Sequence, residues 1–421
     1  MFGVTVERSA NVRIYLPAKH QSVTGRPGSE QGRLRDAREK ADVYRLGFLP
    51  RWGSSTAVPR LRIVASGRHA KAVADEDGMS IELIARVESG HVFTRAEAEA
   101  VMEELLSGRA ETLEIVRLLT ALNQRPVCVA ELAGFASAMR RFAAPVFAAG
   151  ETRPLQMVDT CGTGGDGFDA FNVSTAAAIV AAAAGASVAK HGNRAASSRS
   201  GSADVLEALG VRIDAPLTRM GAAIRELGIG FLFAPAAHAA TRHAVAARKQ
   251  IGVRTVFNLL GPLTNPAGAR SQVLGVFSPD AIALVAATLA ELEVERALVV
   301  HGAGGLDEIS LAGETLVADV RHGEVRRYTV FPEDFGVARA PLEAIRGGSA
   351  AENALTIRGI FAGDAGARRD IVVVNAAAAL VASAVAENFL EGAQLAGATI
   401  SSGGAERKLA ALAAFTQADR G

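Results

Sequence analysis

The sequence predicts a two-part α/β protein: a small N-terminal α-helical domain and a large α/β domain with a mostly parallel central sheet. Three observations carry this. Four helical patterns succeed one another between Ser80 and Phe142 before any strand pattern, and helices that meet only helices make a layer of their own. Beyond Met157, short strand-like runs alternate with helical stretches, the order of a parallel sheet with crossover helices. Hydrophobic residues are 49% of the 421 but aromatics only 5%, so Ala, Val and Leu must build the core.

Residues 1–78 stand apart. They hold 14 Lys and Arg against 8 Asp and Glu, the only Trp (Trp52), and no sustained helical or strand period. Glu7, Glu30, Asp36 and Glu39 argue against an organelle transit peptide, and no apolar h-region marks secretion. This segment is expected to be a disordered or non-native extension, with Met79 as the natural start.

Residues 79–150 form the predicted helical domain. Ile81, Ile84 and Val87 share a helical face, and Thr94 with Glu97 makes a capping box. The stripe Ala98, Val101, Met102, Leu105 and Leu106 follows, then Ile115, Leu118, Leu119 and Leu122, then a helix over Val129–Phe142. Residues 151–421 form the α/β domain. Its strand candidates are Val188–Ala189, Gly230–Phe233, Ser271–Phe277, Arg296–His301 and Val325–Val330. Its helix candidates are Ala281–Leu292, Ile371–Glu387 and Glu406–Thr416.

Composition narrows the function. A formal net charge of +1 gives no reason to expect nucleic acid or an acidic membrane as partner. Two cysteines, Cys128 and Cys161, make no disulfide framework and suit a reducing cytoplasm. The apolar stretches Ala176–Ala189 and Ala376–Ala386 fall short of the ~20 residues of a membrane span and read as buried helices.

Between Asp159 and Leu209 the chain carries a loop with four glycines (Gly162, Gly164, Gly165, Gly167) and Asn172, Ser174 and Thr175 at the mouth of an alanine-rich helix. A helix N-terminus presents unpaired N–H groups and the positive end of its dipole, so this is an anion site. It is neither a P-loop, having no Lys after the glycines, nor a dinucleotide fingerprint, lacking the last glycine spacing. A second polar loop is expected over Lys190–Ser202, and an acidic pair, Asp307–Glu308, follows a strand and a Gly turn. Adjacent carboxylates at a strand's C-terminal end suit Mg²⁺, which takes one or two protein carboxylates plus water and phosphate.

GTGGDG, NVST, KHGNRAASSRSGSADVLEALG, FNLLGPLTNP and GLDEIS, in this order, resemble the anthranilate phosphoribosyltransferase family from about Met79 onward. The resemblance implies a nucleoside phosphorylase/phosphoribosyltransferase-like fold, with the small domain mediating a homodimer, and a cytoplasmic enzyme of tryptophan biosynthesis. Phosphoribosyl pyrophosphate would be bound by Gly162, Gly165, Asp166, Asn172, Val173, Ser174, Thr175, Lys190, His191, Gly192, Asn193, Arg194, Ala195, Ala196, Ser197, Ser198 and Ser202. Two Mg²⁺ ions would be held by Ser174, Asp307 and Glu308, with Glu308 shared. Anthranilate would meet Gly162, Asn193, His238 and Arg248, and His191, Asn193 and Arg248 are the candidate catalytic residues. Ala170, Ala239 and Ala246 depart from the family pattern, at the donor loop and the acceptor approach. A pyrimidine-nucleoside phosphorylase-like enzyme and a non-enzymatic nucleic-acid-binding relative are the alternatives. The acidic pair and the intact N-V-S-T helix start favour the transferase.

Overall fold

The computed structural model describes residues 14–15, 81–165, 167–195 and 198–418. The expectation for residues 1–78, apart from the two-residue strand β1 (Ile14–Tyr15), lies outside the described residues.

Four helices open the described chain: α1 (Ile81–Glu88), α2 (Arg95–Ser107), α3 (Thr112–Asn123) and α4 (Val129–Arg141). Their apolar stripes are buried as the periodicity requires, from Ile84 and Val87 to Leu122. The Thr94–Glu97 capping box forms with both reciprocal bonds. A buried carboxylate ties the loops together: Glu131 accepts from the Phe93 amide at 3.0 Å, the Cys128 amide at 3.1 Å and Arg125 Nη1 at 2.9 Å.

The large domain runs β2 (Met157–Gly162), α5 (Val173–Ala183), β3 (Ser187–Gly192), α6 (Ser202–Ala208), α7 (Leu217–Leu227), β4 (Ile229–Phe233), α8 (Ala234–Ala237), α9 (Arg242–Ile251), α10 (Phe257–Leu260), β5 (Ser271–Gly275), α11 (Pro279–Glu291), β6 (Arg296–Gly302), β7 (Thr315–Arg321), β8 (Glu324–Val330), α12 (Ala350–Ala362), α13 (Ala367–Ala382), α14 (Phe389–Ser401) and α15 (Gly404–Gln417). The sheet order is β1-β8-β7-β6-β5-β2-β3-β4. Strands β4, β3, β2, β5 and β6 are parallel, and β6, β7 and β8 form an antiparallel meander. The β7–β8 link is two residues, His322 and Gly323, both at positive φ, the requirement of a type I′ hairpin.

Several boundaries differ from expectation. Strand β3 extends through Lys190, His191 and Gly192, so the polar loop begins at Asn193. Ser271–Phe277 pairs only as far as Gly275. The stretch Ala176–Ala189 is not one helix: α5 stops at Ala183 and β3 begins at Ser187. The expected helix Ile371–Glu387 starts earlier and ends at Ala382, where Ala384 turns the chain at φ 57°.

Helices α5 and α13 pack on one face of the sheet, nearly every residue from Ile371 to Ala382 being buried. The other face shares a core with α11 and the four N-terminal helices. Chain order reverses at β2: β3 and β4 lie to one side, β5 and β6 to the other. In open α/β sheets a ligand crevice lies at the C-terminal ends of strands at such a switch point. Here those ends are Gly162 and Gly275, paired in register. Among the described residues no helix is long and apolar enough to cross a membrane.

Candidate active site

The glycine loop leaves β2 at the switch point. Gly164, Gly165 and Gly167 have φ of 67°, 73° and 75°, a region L side chains rarely adopt. Gly162 and Gly275 are needed for a different reason. A Cβ on Gly162 would lie 2.3 Å from Asp307 Oδ2, and one on Gly275 would lie 1.6 Å from the Asp307 carbonyl oxygen. The turn through Gly304 and Gly305 after β6 therefore seats the acidic pair directly on the ends of β2 and β5.

Both acids are tied to the anion loop by backbone amides. Gly164 N donates to Asp307 Oδ2 at 2.8 Å, and Ser174 N donates to Glu308 Oε1 at 3.1 Å. The Asp307–Glu308 segment is fixed from below by Asn375 of α13. Its Oδ1 accepts from Ile309 N at 2.9 Å, and its Nδ2 donates to Ile309 O at 3.1 Å and Ile371 O at 2.9 Å.

Asn172 precedes α5 and, rather than capping it, joins three segments with its side chain. Its Oδ1 accepts from Ser200 Oγ at 3.1 Å and from Asn353 Nδ2 at 3.0 Å, and its Nδ2 donates to Ser200 O at 3.1 Å. Val173 and Thr175 face the core; Thr175 is buried and its hydroxyl has no hydrogen-bond partner among the described residues. Lys190 is not a solvated surface lysine. It is 3% exposed, and its Nζ donates to Thr160 O at 2.6 Å and lies 3.5 Å from Ser174 Oγ. Burial lowers its pKa against the opposing pull of Asp159, while burial raises the Asp159 carboxyl against the opposing pull of Lys190. Asp159 accepts from His191 N at 3.1 Å and from Asn265 Nδ2 at 2.8 Å.

The loop after β3 is organised by Asp204. Its Oδ2 accepts from Ala195 N and Gly201 N, both at 2.9 Å, and its Oδ1 accepts from Arg194 Nη1 at 2.8 Å. Arg194 also reaches Glu207 at 2.9 Å, so its guanidinium is engaged on the protein's own carboxylates. Gly192 sits where a Cβ would be 2.1 Å from Ser202 Oγ. Asn193 and Ser198 are exposed. Asp166, Ala196 and Ser197 lie outside the described residues.

His191 and His238 meet edge to face, ring centroids 5.1 Å apart. Burial lowers His191 to about 3, with His238 adding to the effect, and burial lowers His238 to about 4. Both rings are therefore neutral at pH 7, and the Nε2 atom of each is buried without a partner among the described residues. Arg248 of α9 is half-buried with its guanidinium 5.2 Å from the Phe257 ring centroid. Arg254 donates to the Gly165 carbonyl oxygen and lies 4.2 Å from the Phe277 centroid. The structure thus brings together the loop glycines, the α5 start, Lys190 and the acidic pair, with His191 at the end of β3 meeting His238 just after α8. Asp159, Asp204, Arg254, Asn265, Asn353 and Asn375 support them and were not singled out from sequence. Asn375 carried a signal: a lone amide in an otherwise apolar helix.

The donor set fits Mg²⁺. Two half-buried carboxylates lie at the N-terminus of α5, where Glu308 accepts from the Ser174 amide, and the Ser174 side chain is itself half-buried. Among the described residues no group of three or more His, Cys, Asp or Glu gathers. Mg²⁺ takes one or two protein carboxylates, its remaining positions being filled by water and substrate phosphate.

The helical bundle domain of a glycosyl transferase family matches residues 81–143, and the a/b domain of that family matches residues 155–406. The anthranilate phosphoribosyltransferase of Pelotomaculum thermopropionicum is 50% identical over 333 residues, covering 79% of this chain and 95% of the relative. The crystal structure of the Thermus thermophilus anthranilate phosphoribosyltransferase superposes with a TM-score of 0.75 at 46% identity, covering 80% of this chain and all of that one. The Saccharomyces cerevisiae enzyme in complex with PRPP and Mg gives a TM-score of 0.73 at 27% identity, covering 81% and 99%. Fold, site and sequence lead to one conclusion: this chain belongs to the anthranilate phosphoribosyltransferase family.

Proposed function

We propose that the chain transfers the phosphoribosyl group of 5-phosphoribosyl 1-pyrophosphate to anthranilate, releasing pyrophosphate, as a step of tryptophan biosynthesis. The observation that carries this is the union, at the β2/β5 switch point, of an anion-binding helix start with the Asp307–Glu308 pair. A phosphorylase using free phosphate has no need of the pair.

In this reading the donor's pyrophosphate lies against the glycine loop and the Asn172–Thr175 turn. Lys190 at the end of β3 and Asn193 just after it lie on the same side. Ser174, Asp307 and Glu308 are the residues that would hold the two Mg²⁺ ions of this reading. When bound, Mg²⁺ offsets the pyrophosphate's charge and so eases its departure. The anthranilate nitrogen then uses its lone pair to bond C1′ as the C1′–oxygen bond breaks, and the nitrogen gives up one proton to water or to the departing pyrophosphate. Most of the acceleration comes from positioning and electrostatics. Arg248 has no carboxylate partner among the described residues and supplies a planar fork to the acceptor carboxylate. Asn193, His191 and His238 orient the acceptor. Imidazoles held at about 3 and about 4 are weak bases at pH 7, so they serve better as hydrogen-bond partners than as proton abstractors. The anthranilate amine is already unprotonated there, and no strong base is required. A homodimer through the helical domain 79–150, and a cytoplasmic location, belong to the same reading. Exposed Leu113 and Phe142 supply apolar surface for the dimer contact.

The acidic pair tests this. Asp307→Asn with Glu308→Gln keeps an acceptor oxygen for both the Gly164 and Ser174 amides, so the fold should persist. Mg²⁺-dependent turnover should vanish with the melting temperature unchanged. Undiminished Mg²⁺-dependent turnover would remove the metal assignment.

A further inference from the structure

The opposite end of the sheet carries a second feature that the transferase reading does not use. Where β5 and β6 begin, a cavity of about 620 Å³ opens beneath the end of α4, lined by Arg140, Arg153, Arg270, Glu293, Asn265 and Gly268 among others. Its volume falls in the range of small-molecule sites, ~300–1,000 Å³. Three arginines face one lining acid. Arg270 is partly offset by Glu295 at 3.2 Å. Arg153 lies 5.7 Å from the Phe147 ring centroid and has no ion pair among the described residues.

Arg140 is the decisive residue. Its guanidinium makes a single hydrogen bond, Nε to Leu263 O at 2.8 Å, and meets no carboxylate among the described residues. Burial, with Arg95 nearby, lowers its pKa to about 10. Arg140 is half-buried, so its guanidinium is only partly hydrated and is open to an anionic partner in the cavity beside it. Guanidinium forks match phosphate oxygens two at a time.

We propose that this cavity binds a phosphate group, free or esterified to a small molecule, held by Arg140, Arg153 and Arg270. It is separate from the glycine-loop site, which lies at the C-terminal strand ends. Asn265 links the cavity to the sheet interior: it lines the cavity while its Nδ2 donates to Asp159 and, at 2.7 Å, to Ala189 O.

The test is calorimetric titration of the full chain without Mg²⁺, using ribose 5-phosphate and, separately, inorganic phosphate. The Arg153→Ala/Arg270→Ala variant removes two exposed side chains and should fold normally. Arg140→Lys is the second variant, keeping charge but losing the fork. One binding event of the wild type should weaken tenfold or more in the double variant and clearly in Arg140→Lys, while binding at the glycine loop persists. A tenfold preference for ribose 5-phosphate would assign the site to an ester, and equal affinities would assign it to free phosphate. Binding unchanged in both folded variants, or no second event in the wild type, would overturn the proposal. None of these outcomes depends on transferase activity.

Discussion

Asn375→Leu separates support of the acidic pair from simple packing. The substitution keeps the branched four-heavy-atom outline of the side chain, two methyl groups replacing the amide oxygen and nitrogen, in a fully apolar stretch of α13, so no cavity forms. It removes both partners of Ile309, whose N and O sit 2.9 Å and 3.1 Å from the Asn375 amide. Ile309 is 1% exposed, so neither group can turn to water. Each buried orphan costs roughly 1–3 kcal/mol, giving a loss of about 2–6 kcal/mol against a typical total of ~5–15 kcal/mol. Urea unfolding followed by circular dichroism should show that loss as a lower midpoint with an unchanged slope. Asp307–Glu308 lies one residue upstream of the clamp, so the Mg²⁺ concentration for half-maximal turnover should rise about tenfold. Asn375→Ala should cost less stability if water enters the vacated space and bonds Ile309. A loss below about 1 kcal/mol, with an unchanged Mg²⁺ requirement, would refute the clamp.

Acid should weaken the fold through the histidine pair. With folded values of about 3 and about 4 against ~6.5 unfolded, the unfolded state binds more protons below pH 6.5. Stability is then full above that pH and falls as pH drops towards 4. At pH 5.5 the two rings together should remove about 3 kcal/mol, and His238→Gln should halve that slope in urea melts at pH 7.5 and 5.5; an unaltered slope would mean the rings are not held neutral. Arg248→Ala should raise the KM for anthranilate roughly 10- to 100-fold, the worth of a charge-assisted contact, and leave the donor's KM nearly unchanged. Equal effects on both substrates would place Arg248 elsewhere in the reaction.

Local periodicity carried the helical domain: the stripes from Ile84 to Leu122 and the Thr94–Glu97 box depend only on neighbours a turn away. The parallel strands were legible as short β-branched runs between helices. Thr315–Arg321 escaped because its Ala318-Asp319 step interrupts the apolar run, and its place is fixed by β6 and by the His322–Gly323 hairpin. Helices α7, α9, α12 and α14 also lay beyond the periodicity, being short or broken by Gly. In the site, residue types at a helix start or strand end were readable, since the backbone itself presents the chemistry. Supporting contacts were not. Asp159 meets Asn265 and Asn375 meets Ile309 across long sequence separations, and no local pattern encodes such partners. Lys190 shows the same limit: the sequence places it after a strand, but only the packing turns its amine beneath Ser174.

The most direct test of the account is to mix the purified chain with anthranilate, phosphoribosyl pyrophosphate and Mg²⁺ and follow anthranilate fluorescence. The account predicts a loss of fluorescence that requires all three components together with the chain. Unchanged fluorescence with the complete mixture, in a folded protein that fails to bind the donor by calorimetry, would contradict it.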